Sequence, residues 1–270
     1  MSIPAIKASR LSNAGPAAPV LIAGPSLGTA ALPLWSRAAA ALDTFTVIAW
    51  DLPGHGTSPG ATESFSVADL AAAVAAMVTG AREAGDVAAD VPVFYAGVSL
   101  GGAVGLQLGL DHGALFDGIA VLCSGAKIGE TGAWEERAET VRVQGTPTQV
   151  VGSGQRWFAP GFMDREPAAA AALLHSLQDA DRFSYALCCR ALATFDVRGR
   201  LPDITVPMLA VAGAEDVVTP PSFAQLIADR VANGTAAVID DAAHLVPVEQ
   251  PAATAGLLKD FFGAQYLEGK

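Results

Sequence analysis

A serine between two glycines is the sharpest chemical signal in the sequence. Ser99 follows a predicted strand, Val91–Ala96, and precedes an apolar stretch typical of a helix. With Gly97 and Gly101 it forms G-x-S-x-G in a strand-turn-helix context, which places a serine hydroxyl on a tight, strained turn. The glycines remove Cβ atoms that would collide there, and the helix N-terminus favours developing negative charge. The pattern predicts Ser99 as a nucleophile.

A serine hydroxyl needs a base to take its proton, and the chain has four histidines. His244 follows the last predicted strand, Ala236–Ile239, and comes after both the serine and the candidate acids in chain order. That order, serine then acid then histidine, is the one that accompanies a G-x-S-x-G turn. We therefore predict His244 as the base. The remaining histidines are a turn residue expected to be structural, a helix end and a residue of the central region: His55, His112 and His175.

An acid is needed to orient the imidazole, and it is expected in the loop after the penultimate strand, Val206–Ala212. Asp216 lies in that loop, and its neighbour Glu215 is the rival, which we expect to be solvated. Asp240 and Asp241 lie only four and three residues before the histidine, which is too local for a well-placed partner. Asp216 is the predicted orienting acid.

Two backbone N–H groups are needed to stabilise an oxyanion. Leu100, directly after the nucleophile, is expected to supply one. The other is expected from the loop 23–29, in which Pro25 has no N–H to offer. Leu27 is the predicted donor in this loop, and Ser26 is the alternative.

Short apolar runs alternate with longer Ala- and Leu-rich stretches, which predicts a doubly wound α/β fold with a mostly parallel sheet. The predicted strands are Pro19–Ala23, Phe45–Trp50, Val91–Ala96, Gly118–Leu122, Val206–Ala212 and Ala236–Ile239. The predicted helices outside the central region are Leu34–Leu42, Val67–Thr79, Leu100–His112, Ser222–Val231 and Ala252–Phe262. Residues 126–202 contain helical patterns but no convincing strand. We predict a core of residues 1–125 and 203–270, carrying an inserted helical cap at 126–202.

The composition limits the classes of molecule that we expect the protein to bind. The 270 residues carry a net charge of -11, so nucleic acid and anionic membrane are not expected as partners. No run of about 18 apolar residues and no secretory leader pattern is visible. The cysteines Cys123, Cys188 and Cys189 are expected to be reduced thiols, which favours the cytoplasm. No cluster of Cys and His suggests a metal, and no cofactor is expected.

Taken together, these motifs resemble the α/β-hydrolase superfamily and, within it, the 3-oxoadipate enol-lactonases. The stretches that carry the resemblance are Ser26–Thr29 with Trp35, Asp51–Ser58, Ala126–Gly129 with Trp134, Arg156–Phe158, Tyr185–Arg190, Gly213–Asp216 with Thr219–Pro221, Asp241–Leu245 and Glu249–Pro251. The resemblance implies an α/β-hydrolase fold and a cofactor-free opening of an enol-lactone through an acyl-enzyme on Ser99. The expected partner is a small carboxylated lactone or ester.

Such a substrate carries a free carboxylate, so an acidic protein needs a local cation to bind it. The candidates in the predicted cap are Lys127, Arg137, Arg156 and Arg190. We predict that Lys127 and Arg156 bind the substrate and that Trp134 and Trp157 are apolar walls of the pocket. The alternatives are a carboxylesterase or another hydrolase of the same fold, and a non-catalytic ligand receptor, which would not need to keep an intact triad.

Overall fold

A computed structural model of the chain describes residues 2–268, and in them seven strands form one sheet. The strands are β1 (Lys7–Arg10), β2 (Val20–Gly24), β3 (Thr46–Asp51), β4 (Val93–Val98), β5 (Gly118–Leu122), β6 (Met208–Gly213) and β7 (Gly234–Ile239). Their order is β1-β3-β2-β4-β5-β6-β7, and only β1 is antiparallel to its neighbour. The carboxyl ends of β2 to β7 therefore meet at one edge of the sheet.

Helices cover the sheet and connect its parallel strands. They are α1 (Ala31–Ala41), α2 (Val67–Glu83), α3 (Leu100–Asp111), α4 (Thr131–Gln144), α5 (Val150–Trp157), α6 (Phe162–Arg165), α7 (Pro167–Asp179), α8 (Arg182–Ala193), α9 (Pro221–Arg230), α10 (Val246–Glu249) and α11 (Pro251–Glu268). Strands β2, β4, β5 and β6 are buried along their whole length, as expected of strands covered on both faces. The predicted doubly wound sheet is confirmed. Across residues 2–268 no helix combines the length and the apolar character that a membrane span requires.

The edge strand β1 escaped the sequence prediction. Its four residues are all exposed, and it pairs with β3 in antiparallel register, Lys7 opposite Asp51 and Arg10 opposite Ile48. A strand with no buried face carries no apolar alternation, so the hydrophobic pattern gave no signal. Its charged ends suit an outer edge, because they discourage pairing with another chain.

Helix α1 begins three residues before the predicted start at Leu34. Pro33 lies in its first turn, where a residue without an N–H costs no intrahelical hydrogen bond. The Ala31 N–H donates to Asp51 Oδ1 at 2.7 Å, so a carboxylate at the end of β3 caps the helix from another element. That tertiary contact is invisible in the local sequence.

Between β5 and β6 the described chain forms helices and connecting turns, with α4 packed against α8. Polar contacts join this region to the loop after β3. The Asp181 N–H donates to the Gly54 carbonyl at 2.8 Å, and the Ala61 N–H donates to Ser184 Oγ at 2.9 Å. The helices thus lie against the loops at the carboxyl edge of the sheet. The domain limits at 126 and 202 stay a prediction.

Phe262 of α11 anchors that helix on the sheet, and we expect its truncation to be costly. The ring is fully buried and stacks on Phe94 of β4 with ring centroids 4.6 Å apart. Phe262→Ala should lower the free energy of unfolding by about 3–5 kcal/mol, because it leaves a cavity between helix and sheet. Urea unfolding of the variant measures this, with Phe183→Ala, a half-exposed phenylalanine, as the control. An equal loss in both variants would contradict the assignment of Phe262 to the core.

Candidate active site

Ser99 occupies the turn between β4 and α3 in a strained backbone conformation. Its φ of 55° and ψ of -112° lie where a residue with a Cβ is rarely found. Two hydrogen bonds hold it there. The Ser99 N–H donates to the Leu122 carbonyl at 2.9 Å, and Ser124 Oγ donates to the Ser99 carbonyl at 2.7 Å. The neighbouring strand β5 thus fixes the turn from one side.

Glycines let the turn close, as the sequence predicts. A Cβ on Gly97 would overlap the Gly101 carbonyl, and a Cβ on Gly101 would lie 2.5 Å from the carbonyl oxygen of Pro25. The Gly101 N–H donates to that same Pro25 oxygen at 2.9 Å. The start of α3 and the loop after β2 are therefore in direct backbone contact.

His244 and Asp216 form a buried hydrogen-bonded pair. His244 Nδ1 lies 2.8 Å from Asp216 Oδ2, and both residues are almost fully buried. A carboxylate can only accept here, so the ring proton sits on Nδ1 and Nε2 is left as the basic nitrogen. Glu215, the rival acid, is exposed. The acid paired with the histidine is thus the one that the sequence favoured.

Asp216 is held as a carboxylate. It accepts hydrogen bonds from the Val218 N–H at 2.8 Å, the Thr219 N–H at 3.1 Å and Thr219 Oγ1 at 2.8 Å. Burial by itself would raise the pKa of Asp216, but the His244 ring and the Thr219 donors together hold this pKa below its ordinary value. A permanently ionised partner stabilises an imidazolium that forms beside it.

In the described part of the chain the N–H of Leu27, in the loop after β2, is unpaired while those of its neighbours Ser26 and Gly28 are bound. The Ser26 N–H donates to Thr29 Oγ1 at 3.1 Å, and the Gly28 N–H donates to His55 Nε2 at 3.2 Å. Within residues 2–268 the N–H of Leu27 has no acceptor, nor does that of Leu100 at the first position of α3. Of the two alternatives for the second oxyanion donor, the geometry favours Leu27 over Ser26.

His55 fixes this loop; the sequence analysis expected it to be structural but identified no partner for it. Its Nδ1–H donates to the Pro53 carbonyl at 2.9 Å, which leaves Nε2 to accept from Gly28. Burial lowers the pKa of His55, so its ring stays neutral and keeps that acceptor. The ring also stacks on Tyr185 of α8, with centroids 5.9 Å apart. The available signal was position, because His55 follows β3 at the same edge of the sheet.

Trp157, at the end of α5, contacts the loop that carries His244 and the loop that carries Leu27. Its carbonyl accepts the N–H of His244 at 3.2 Å. Its ring packs beside Gly28, where an added Cβ would lie 3.4 Å from the ring. Trp157 therefore lies between the loop that carries His244 and the loop that carries Leu27, and its role as a pocket wall stays a prediction.

Two of the four candidate cations are already paired with acids. Lys127 Nζ lies 2.8 Å from Glu130, and Arg190 lies 3.6 Å from Glu135. Both acids are at least half exposed. Because surface acids already balance both charges, neither cation is favoured as the residue that binds a substrate carboxylate.

The other two, Arg137 and Arg156, have no acidic partner in the described part of the chain. Arg137 donates to the Tyr185 hydroxyl, and its guanidinium lies 5.4 Å from the ring centroids of Trp134 and Tyr185. Burial is the main effect that lowers the pKa of Arg156, and the positive charge of Arg137 lowers it further. Arg156 also lines an open cavity of about 340 Å³ together with Glu215. The charge of Arg137 thus opposes the charge of Arg156.

The site residues of the sheet gather at its carboxyl edge, after β4, β6 and β7. Among the described residues, His244 is hydrogen-bonded to Asp216 but not to Ser99. A nucleophile and its base are often farther apart without substrate than in the reacting complex. The arrangement provides an oriented imidazole, a serine on a strained turn and two free N–H donors.

The known proteins that this chain resembles include enol-lactonases. The chain is 35% identical over 237 residues to 3-oxoadipate enol-lactonase 2 of Acinetobacter baylyi, covering 87% of this chain and 85% of that protein. Among solved structures, the enol-lactonase from Burkholderia xenovorans LB400 superposes with a TM-score of 0.85 at 27% identity, covering 96% of both chains. A hydrolase from Pseudomonas aeruginosa PA01 gives 0.82 at 28% identity, covering 96% and 93%.

The family model of alpha/beta hydrolases matches residues 20–257. This range contains all the strands from β2 to β7 and every candidate catalytic residue named above. The predicted α/β-hydrolase fold is confirmed, and so is the prediction that the protein is a hydrolase. The chain belongs to the alpha/beta hydrolase family.

Proposed function

We propose that Ser99, His244 and Asp216 are the catalytic triad of a serine hydrolase that cleaves a carboxylic ester or lactone. The observation that carries the proposal is the buried His244–Asp216 pair, 2.8 Å apart, at the same sheet edge as a serine on a strained turn. A family member that served only as a receptor would have no need for an oriented, buried imidazole–carboxylate pair.

The reaction begins when Ser99 Oγ attacks the substrate carbonyl and His244 Nε2 takes the hydroxyl proton. Asp216 stabilises the imidazolium that results. The N–H groups of Leu27 and Leu100 donate to the tetrahedral oxyanion, and each such donor is worth roughly 10²–10³ in rate. Collapse expels the leaving oxygen, which takes the proton back from His244, and Ser99 remains acylated. Water, activated by the same histidine, then releases the acid.

We propose an enol-lactone as the substrate, opened to a keto acid, with 3-oxoadipate enol-lactone giving 3-oxoadipate as the specific case. Support comes from the relatives, since two curated proteins at 35% and 33% identity are named 3-oxoadipate enol-lactonases. Ring opening expels an enol oxygen, a better leaving group than a simple alkoxide. The enol that forms then rearranges to the ketone without further help from the protein.

Residues 126–202 act as a cap over this site in our proposal. Trp157 and Trp134 line the apolar part of the pocket, and Arg137 binds the free carboxylate of the substrate, with Arg156 reinforcing the positive charge. Arg137 supports this assignment because it is partly buried, stacked on aromatic rings and without an acidic partner among the described residues. Lys127, which the sequence analysis included, is not retained, because its charge is already matched by Glu130.

Triad variants test the chemistry. Ser99→Ala should lower kcat by about 10⁶-fold, since it removes the nucleophile, and Asp216→Asn by about 10⁴-fold, since it leaves the histidine in the wrong tautomer. Both are measured by loss of ultraviolet absorbance of the enol-lactone and by hydrolysis of p-nitrophenyl acetate. A fluorophosphonate probe should label the wild type on Ser99 but not Ser99→Ala.

Glu215→Gln is the matched control, because Glu215 is the exposed neighbour of Asp216, is not hydrogen-bonded to the imidazole in the described part of the chain and should keep the wild-type kcat. Turnover of the p-nitrophenyl ester without turnover of the enol-lactone would retain the serine hydrolase and reject the lactonase. Activity that survives in Ser99→Ala would reject the triad itself.

Arg137→Met tests the carboxylate anchor. Loss of a charged hydrogen bond to the substrate, worth about 1.5–3 kcal/mol, should raise KM for the enol-lactone by roughly 10- to 100-fold. KM for the uncharged p-nitrophenyl acetate should stay unchanged, because that ester has no carboxylate to bind. Arg190→Met, whose cation is paired with Glu135, is the control. Equal effects of Arg137→Met on both substrates would instead assign Arg137 to packing of the cap.

A further inference from the structure

Glu249, at the end of α10, is a buried acid that the proposed reaction does not use. Its side chain is nearly inaccessible, and both its oxygens are occupied. Oε1 accepts the N–H of Ala243 at 3.0 Å and that of Leu245 at 3.2 Å. Oε2 accepts the N–H of Ala159 at 2.6 Å. One carboxylate thus receives three backbone hydrogen bonds from two separate segments.

The first two of these bonds flank the candidate base. Ala243 and Leu245 are the residues on either side of His244, whose own N–H donates to the Trp157 carbonyl. Every N–H from 243 to 245 is therefore bound either by Glu249 or by the segment that Glu249 itself holds. The backbone on both sides of His244 thus has no unpaired N–H, and these hydrogen bonds oppose a displacement of the loop.

The third bond reaches the other side of the site. Ala159 follows Trp157 by two residues, and the Trp157 ring packs beside Gly28 in the loop that carries Leu27. Glu249 consequently connects the loop that carries His244 with the segment 157–159, which is a wall of the site in our proposal. Neither connection involves the imidazole or the serine hydroxyl.

The chemistry of the contact requires a carboxylate. Within the described residues no lysine, arginine or histidine forms an ion pair with Glu249, so its three hydrogen bonds, with a weaker contribution from the charge of His244, must offset the burial of its own charge. Burial raises the pKa of Glu249, against the opposing effect of the three N–H donors. An amide offers an acceptor at only one of the two ends, so glutamine cannot satisfy both segments.

We propose that Glu249 is a positioning residue that sets His244 and the pocket wall at Trp157–Ala159 in one fixed arrangement. The proposal rests on the proposed function of His244 as the base. Glu249 acts through backbone N–H groups and touches no reacting atom. Its effect on turnover comes through the direction of the imidazole, and its effect on substrate affinity comes through the placement of the Trp157 segment.

The two connections can be separated by substitution. In Glu249→Gln the amide oxygen should stay where two donors converge, at Ala243 and Leu245, and the amide nitrogen would then face the Ala159 N–H. This variant should keep kcat within about threefold and raise KM for the enol-lactone or the p-nitrophenyl ester. Glu249→Ala loses both connections and should lower kcat by about 10²-fold as well, the cost typical of a misplaced catalytic group.

Glu166→Gln is the matched control. Glu166 is a partly exposed carboxylate that also links the helical region to the core, through an ion pair with Arg37 at 3.3 Å. Its kinetics should equal those of the wild type. If Glu249→Gln and Glu249→Ala also behaved like the wild type, or if both lowered kcat to the same extent, the separate roles of the two oxygens would be refuted.

Two readouts do not depend on turnover. Amide hydrogen exchange should quicken at Ala159 alone in Glu249→Gln, and at Ala243, Leu245 and Ala159 in Glu249→Ala. The downfield NMR signal of the proton between His244 Nδ1 and Asp216 should persist in Glu249→Gln and shift or broaden in Glu249→Ala. Should Glu249→Ala fail to fold, the near-isosteric Glu249→Gln still decides the question through Ala159.

These readouts also distinguish the proposal from the function on which it rests. A wild type that neither turns over esters nor reacts with a fluorophosphonate would reject the proposed function, while exchange and NMR would still report how Glu249 holds the histidine loop. A catalytically active wild type with unchanged exchange at all three amides in Glu249→Ala would reject the positioning role alone.

Discussion

The backbone of Ser99 is held in a conformation that opposes its own preference, and much of the surrounding architecture serves to keep it there. A positive φ at a residue with a Cβ costs about 1–3 kcal/mol, so the turn persists only if its neighbours determine it. β5 supplies the Leu122 carbonyl, the segment just after it supplies the Ser124 hydroxyl, and the loop after β2 supplies the Pro25 carbonyl to Gly101. The parallel order of β2, β4 and β5 brings these three segments together.

The same contact holds the loop of Leu27 against the first turn of α3, which carries Leu100; these two residues are the oxyanion donors in our proposal. Because Gly101 binds Pro25, the first turn of α3 cannot move without the loop that carries Leu27. His55 fixes that loop from the opposite direction through the Gly28 N–H. Local hydrogen bonds therefore satisfy the N–H groups around Leu27 and leave its own unpaired, which is the property that a preorganised donor needs.

Much of this arrangement could be predicted from the sequence, because the decisive features are local or follow from chain order. The turn at Ser99 is a five-residue pattern, and the positions of Asp216 and His244 after successive strands follow from parallel topology. The features that the sequence analysis did not predict depend on contacts between distant parts of the chain. Strand β1 has no buried face, and the roles of His55 and Glu249 depend on backbone groups far away in the chain.

For a related reason, the sequence could not show which of the cap cations lacks an acidic partner. Four basic residues look alike in a chain of 16 bases and 27 acids, and only their neighbours tell them apart. Such an excess of acid makes a carboxylate partner easy to find, as Lys127 and Arg190 illustrate. Arg137 instead lies against two aromatic faces and a phenol, which stabilise a guanidinium without neutralising it. In our proposal, an unneutralised cation of this kind is what an acidic protein needs to attract an anionic substrate.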